Sequence, residues 1–428
     1  SHTLVNYQNN FDHTGAQTVW TVDFPGPPIT NCSLAGESGE VFAIAPASYT
    51  PPGGTLDHRN VLTVFFNGGA HAIAREGEVF TNPRSNQEMS ISYFQTVSGL
   101  TDYRSSGVFL AGIASSPPVT PDDTHLALFA ASGVIADQPR LIAEVGDTFE
   151  DQLNTGHYYT IESFEASIFN IGDVSAQAEG YAVCKCVIRD ADVPNSSTMF
   201  GVLRFSLDGL SGTSIIVKDG DSVQGLAGDY HLNLFSGFEI SGTSPAGNIL
   251  FYGFIGNDSG QRSAALVWSP FVDGSYDPYN HEGVRAVAVS GDSIDLVVNG
   301  VVTPQTVNAI ASPNTSTIGS ANGGSGRASP INDFGDAIIG GNCRDTSMPS
   351  GVVRAFWALY RNCKPVPTCD YLPDGNIDAG DVDALISIVA GNVPFGRCPP
   401  DPDYNVDGNV DSGDVDSLID ALASGTCP

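Results

Sequence analysis

"LIAEVGD", Leu141 to Asp147, is a short apolar run that ends in glycine followed by an acid. The same pattern recurs as "AIAREGE" at Ala72 to Glu78, "IIVKDGD" at Ile215 to Asp221 and "AVAVSGD" at Ala286 to Asp292. Successive copies lie roughly seventy residues apart, the scale of a repeated supersecondary unit. The Gly-acid pair carries its own turn chemistry, since glycine supplies positive φ and an acid caps the bend.

Two further markers follow each copy. A glycine opens an apolar strand in "GVFLAGI" from Gly107, "GYAVCKCV" from Gly180, "GNILFYGF" from Gly247 and "GDAIIGGN" from Gly335, with an earlier copy, "GEVFAIAP", from Gly39. A third run closes each unit: "VLTVFFN" before Asn67, "HLALFAAS" at His125, "MFGVLRFS" at Met199, "AALVWSP" at Ala264 and "VRAFWALY" at Val353. Between the first and second markers lies another β-rich run, as in "TVWTVDF", "ISYFQTV", "YYTIESFEASIF" and "HLNLFSGFEI". All are short, rich in β-branched and aromatic side chains, and bounded by Gly, Pro, Ser, Asn and Asp. The expectation is five units of four antiparallel strands, each opened by its Gly-acid run.

Such units hide their apolar faces only against one another, which a five-bladed β-propeller achieves by closing into a ring. A five-fold stack or a pair of β-sandwiches produces a similar string. The first unit lacks the Gly-acid run and has only "HTLVNYQ" at its start, a strand available to close the ring, to remain free or to enter a neighbouring molecule. Over about residues 1–360 the pattern resembles the Ala-x-x-Gly-Asp repeats of large secreted bacterial proteins. That resemblance implies an extracellular setting and no particular chemistry.

The chain of 428 residues carries 48 acidic and 17 basic side chains, a formal charge of −31. Nucleic acid and anionic lipid would be repelled, and cations are the natural charge partners. No apolar window is long enough to span a bilayer. The chain begins at Ser1 and not at Met, from which a secreted, processed product is expected. Four cysteines (Cys32, Cys184, Cys186, Cys343) lie in the long N-terminal part and four (Cys363, Cys369, Cys398, Cys427) near the C-terminus. None forms a zinc-type pattern, so disulfides in an oxidising compartment are expected. In "CKC" a direct Cys184–Cys186 bond would be strained, so each sulfur should reach another strand or one should stay free. Cys32 and Cys343, in the first and last units, would be neighbours in a closed ring.

After "RNCKPVPTC", a Pro/Cys linker at 361–369, the chain changes character. "DYLPDGNIDAGDVDALI" from Asp370 and "DYNVDGNVDSGDVDSLI" from Asp403 agree at most positions and mark a tandem duplication. An EF-hand-type loop places oxygen donors at positions 1, 3, 5, 7, 9 and 12 and glycine at 6. The second segment fills every position with Asp403, Asn405, Asp407, the Asn409 carbonyl, Asp411 and Asp414, with Gly408 at the turn. The first offers Asp370, Asp374, the Asn376 carbonyl, Asp378 and Asp381 around Gly375, but Leu372 at position 3 provides no ligand, so this site should be the weaker. Each loop leads into a helix whose apolar face is expected to comprise Val382, Leu385, Ile386 and Val389, or Val415, Leu418, Ile419 and Leu422.

Ligand spacing, glycine, apolar position 8 and duplication resemble the type I dockerin, which ends its loop in Asp where an ordinary EF-hand has Glu. The resemblance covers Asp370 to about Ser424. It implies Ca2+ at both loops and a protein partner of the cohesin kind, read through loop positions 10 and 11. Those positions hold Ala379 and Gly380 in one repeat and Ser412 and Gly413 in the other, a departure from the usual Ser-Thr type pair.

No nucleophile elbow, zinc-protease helix, phosphate loop or dinucleotide fingerprint occurs. "LDHRN" around His58 reads as a polar loop. The chain is therefore expected to be mainly β and non-enzymatic: a propeller-like repeat domain (1–360), the linker (361–369) and a small helical calcium module (370–428). The leading expectation is an extracellular structural protein whose partner is a copy of itself, as in a filament. Alternatives are a cell-surface protein that binds polysaccharide and a secreted carbohydrate-active enzyme.

Overall fold

The computed structural model describes residues 8–9, 20–22, 30–35 and 40–49, most of 55–311, then 331, 335–344, 353–360, 371, 378–389, 404 and 411–424. The protein is mainly β. Among the described residues, five antiparallel sheets of four to six strands follow one another along the chain, with a two-stranded ribbon and two helices besides. The β-runs singled out in the repeats coincide with strands, except that "HLNLFSGFEI" divides between two short ones, His231–Asn233 and Glu239–Thr243, which both pair with Ile249–Asn257. In the second sheet, for example, Glu88–Gly99, Ser106–Ser115, His125–Ser132 and Arg140–Glu144 pair in succession, each with the next.

The unit boundary lies elsewhere than the repeats imply. The run before each Gly-acid pair closes a sheet and does not open one: Gly69–Arg75, Arg140–Glu144, Thr213–Lys218 and Val284–Val289 pair with the strand preceding them in sheets one to four. In the fourth sheet the ribbon of Phe271–Val272 with Ser275–Tyr276 lies between the two paired strands, and in all four sheets the Gly-acid turn follows this pairing and hands the chain on. In the second and third sheets the next strand is a three-residue lead-in, Val79–Thr81 or Thr148–Glu150. "LDHRN" is also no loop, because strand Asp57–Phe66 begins there and Arg59 Nη1 donates to the Glu76 carbonyl at 2.8 Å.

All four Gly-acid pairs form the same turn. The glycines have φ of 77° (Gly77), 97° (Gly146), 86° (Gly220) and 94° (Gly291), a region that only glycine enters cheaply. The acid three residues beyond the last strand residue accepts that residue's N–H: Glu78 from Arg75, Asp147 from Glu144, Asp221 from Lys218 and Asp292 from Val289, at 2.8–3.1 Å. Backbone bonds then cross to the next sheet. Gly146 N–H donates to the Ile161 carbonyl at 2.8 Å and Ile161 N–H returns to Asp147 at 2.9 Å, and Gly77, Gly220 and Gly291 do the same with Ile91, Leu232 and Val307. The motif is thus a structural joint that satisfies its own polar groups while tying one sheet to the next.

Packing explains why the strands read as unbroken apolar runs and not as alternation. Sheets two, three and four bury both faces. Phe109 and Phe129 point toward the first sheet, stacking at 5.0 Å, while their chain neighbours Leu110 and Leu128 point toward the third. Val183 and Val202 likewise face the fourth sheet, and Phe251 and Leu250 lie on opposite faces of it. Each fully buried Leu or Phe contributes about 1.5–3 kcal/mol. Cys184 and Cys186 sit side by side in the core between sheets two and three as free, buried thiols, so neither reaches another strand as a disulfide. Cys343 is buried between the fourth and fifth sheets, while the Cys32 side chain and the four C-terminal cysteines lie outside the described residues.

Candidate metal centre

Helices α1 (Ala379–Val389) and α2 (Ser412–Ser424) stand where the duplicated loops end. Both begin with the same reciprocal cap. Asp378 Oδ1 accepts the Gly380 N–H at 2.7 Å and Asp381 Oδ2 accepts the Asp378 N–H at 2.8 Å; Asp411 and Asp414 repeat these bonds with Gly413 and Asp411, at the same distances. Two otherwise unpaired donors are satisfied at each helix start, and the acids lie where the helix dipole favours negative charge.

Burial sets the second acid of each pair apart. Asp381 is 1 % exposed and Asp414 0 %, whereas Asp378 and Asp411 face solvent. A carboxylate without water needs hydrogen bonds or a cation to offset its desolvation. The two occupy equivalent places on either side of a shared core, in which Leu385 and Leu418 are buried and Tyr371 meets Tyr404 edge-on at 6.3 Å. These tyrosines are the second residues of their loops, a duplicated "DY" that marks core positions as plainly as it marks ligands.

Of the expected calcium ligands, the structure brings together Asp378 with Asp381 and Asp411 with Asp414. Asp370, Asp374, Asn376, Asp403, Asn405, Asp407 and Asn409 lie outside the described residues. The donors in view are all carboxylate oxygens, a set that suits a hard cation such as Ca2+ and not a soft one.

One expectation about the helices is corrected. Ile386 is 48 % and Ile419 44 % exposed, so neither belongs to the buried face. Val382, Val389, Val415 and Leu422 do pack on the core. A helix with a single helical neighbour buries a narrow stripe, and 100° of rotation separates Leu385 from Ile386.

A second cluster was not legible in the sequence. His157, Asp190 and Asp192 place one potential ligand atom each within 4.8 Å of one another. His157 is one of eight scattered histidines, and its partners become neighbours only through the pairing of Tyr158–Ile171 with Tyr181–Asp190. The one local signal is the Asp-x-Asp spacing of "RDADVP". No family model matches the chain, and no curated protein matches it.

Proposed function

We propose that this chain is a non-catalytic, secreted structural protein that assembles outside the cell through a calcium-ordered, dockerin-like module, with its N-terminal strand as a second joint. The observation that carries the proposal is the two-fold repetition in the module: a buried aspartate at the start of each helix and an exposed isoleucine at the same place on each. In this reading Asp403, Asn405, Asp407, Asn409, Asp411 and Asp414 hold one Ca2+, and Asp370, Asp374, Asn376, Asp378 and Asp381 a weaker second. The ion offsets the mutual repulsion of the loop carboxylates and orders the helix that follows. Ile386 and Ile419 then offer an apolar pair to a protein partner, most economically another copy of the chain. A contact between unlike patches on identical molecules propagates into a filament unless its rotation closes.

The β-sheets are proposed to form a five-bladed propeller. Support comes from the core clusters, which join sheets one to two, two to three, three to four and four to five. Closure requires the fifth sheet to meet the first. Among the described residues the fifth sheet ends at Val353–Tyr360, the position that in the other four sheets is paired by the strand preceding a Gly-acid turn. Ile338 and Leu359, directly opposite each other on that sheet, are 37 % and 60 % exposed. Residues 2–7 of "HTLVNYQ" lie outside the described residues and Gln8–Asn9 pairs with Trp20–Val22 in the first sheet; a strand of this composition, from this chain or a neighbour, would complete the edge of the fifth by strand addition.

The test is negative-stain microscopy and sedimentation at high protein concentration, with calcium and then with EGTA. Assemblies that appear with calcium and dissolve in EGTA support the proposal. Monodisperse particles under both conditions would refute self-assembly through the module.

A further inference from the structure

The geometry points to a second kind of metal site in the third sheet, in which His157 and Asp190 bind a first-row divalent cation of the Zn2+ type and Asp192 orients the histidine. The site is independent of the calcium loops and shares no residue with them.

His157 precedes strand Tyr158–Ile171, and Asp190 ends the paired strand Tyr181–Asp190, in the register Tyr159 to Asp190. The histidine backbone is pinned on both sides, since its N–H donates to the Asn154 carbonyl at 2.9 Å and its carbonyl accepts from Asp151 N–H at 2.8 Å. Its ring stands edge-on to Tyr159 with centroids 4.9 Å apart. Asp190 Oδ1 accepts the N–H groups of Asp192 and Val193 at 2.9 and 3.2 Å, which leaves Oδ2 facing His157 Nε2 across 3.4 Å. Asp192 Oδ2 accepts the Tyr158 N–H at 2.7 Å and lies 2.9 Å from His157 Nδ1.

The two ring nitrogens therefore have different neighbours at different distances. At 2.9 Å, Nδ1–H donates to Asp192, the arrangement by which a carboxylate fixes the tautomer and plane of a metal-binding imidazole. In the neutral tautomer with the proton on Nδ1, Nε2 offers its lone pair to a cation. Bonds of about 2.0–2.1 Å in tetrahedral geometry set donor atoms about 3.4 Å apart, which is the spacing of Nε2 and Asp190 Oδ2. Imidazole nitrogen with carboxylate oxygen favours Zn2+, Co2+ or Mn2+ over Ca2+, whose ligands are oxygens throughout. The ring and the Asp190 side chain are partly open, at 22 % and 17 %, so water can fill the remaining positions. A strongly anionic protein also raises the local concentration of cations.

The experiment is a Zn2+ titration of the full chain, held in saturating calcium so that the module's loops are occupied, read by calorimetry and by the imidazole 13C and 15N shifts of histidine-labelled protein. Expected is binding in the micromolar range that moves the Nε2 resonance of one histidine, assigned as His157 through His157→Gln. Asp190→Asn should abolish the shift, and Asp192→Asn should weaken binding about 10- to 100-fold while retaining it. Should His157→Gln fail to fold, loss of the shift in Asp190→Asn makes the assignment, because His157 Nε2 is the imidazole nitrogen facing that carboxylate. No shift at any histidine up to millimolar Zn2+, or a shift that survives His157→Gln, would overturn the inference and leave His157 as a histidine bridging two carboxylates.

Discussion

Asp147 and Glu144 hold each other in a closed loop: Asp147 Oδ2 accepts the Glu144 N–H at 2.8 Å, and the Asp147 N–H returns to the Glu144 carbonyl at 3.1 Å. The same pair of bonds recurs at the other three Gly-acid turns, so a variant here tests all of them. Asp147→Ala removes a carboxylate that accepts from both the Glu144 N–H and the Arg84 guanidinium, and should cost about 1.5–3 kcal/mol, the range for hydrogen bonds to a charged group. Gly146→Ala forces a side chain into the left-handed region and should cost about 1–2 kcal/mol. Urea denaturation reads both; unchanged midpoints would mean that the turn does not hold the sheets together.

The ion pair beside this turn should make stability depend on pH. His125 Nε2 lies 3.0 Å from Glu144 Oε2, while Asn82 Nδ2 donates to Oε1 at 2.9 Å. Hydrogen bonding to Glu144 raises the His125 pKa above its ordinary value although burial opposes it, and the same bond lowers the Glu144 pKa. A raised histidine contributes stability in full below its unfolded value and loses it as pH rises through its folded value. A lowered carboxylate contributes above its unfolded value and loses it as pH falls through its folded one. The pair should therefore stabilise most between about pH 4.3 and about pH 6.5. Melting of the wild type and of His125→Gln across pH should diverge most in that window; a constant difference would contradict the assignment.

The adjacent thiols should be silent in the folded protein. Cys184 and Cys186 are both fully buried, and burial, with Cys184 alongside, pushes the Cys186 thiol well up. Only the thiolate is a good nucleophile. Alkylation followed by peptide mapping should leave the peptide bearing both residues unmodified in native conditions and modify it in denaturant. Rapid native labelling would show that the second and third sheets part readily.

Calcium removal should act on the helices and spare the β-sheets. EGTA is expected to lower helical circular dichroism and leave the strand signal intact. Asp414→Asn should weaken the tighter site by about tenfold or more, as the loss of a supporting carboxylate already costs that much. Leu372→Asp should strengthen the other site, because it supplies the oxygen that position 3 lacks. Ile386→Ser with Ile419→Ser should abolish assembly while calcium affinity stays unchanged, which separates the docking face from the ion.

The strands were legible because sheets buried on both faces demand continuous apolar runs such as "GVFLAGI", and because only glycine with a following acid makes this turn. The unit boundary was not. Whether "LIAEVGD" pairs backward or forward depends on its register with His125–Ser132, which the sequence leaves open. Val79–Thr81 and Thr148–Glu150 escaped because three residues are too few to show alternation. In the module, spacing alone singled out Asp378, Asp381, Asp411 and Asp414 as candidate calcium ligands, whereas their capping bonds became visible only in the structure and the exposure of Ile386 and Ile419 depended on how many neighbours the helix has. His157 needed a strand pairing to find Asp190 and Asp192 at all.

The sheets' two-sided burial also dictates an order of events for a growing chain. When the residues through Glu144 have emerged, the second sheet can pair its strands, yet Leu110, Leu128 and Ile142 still await Ile161, Leu203 and Phe205. Each sheet presents one greasy wall until its successor is made, and the next arrival covers that wall while exposing its own. A chain made from its N-terminus would thus carry a single moving sticky front and not five at once. Slowing synthesis within the third sheet should lengthen the exposure of the second, and aggregation during biosynthesis should track where the pause falls.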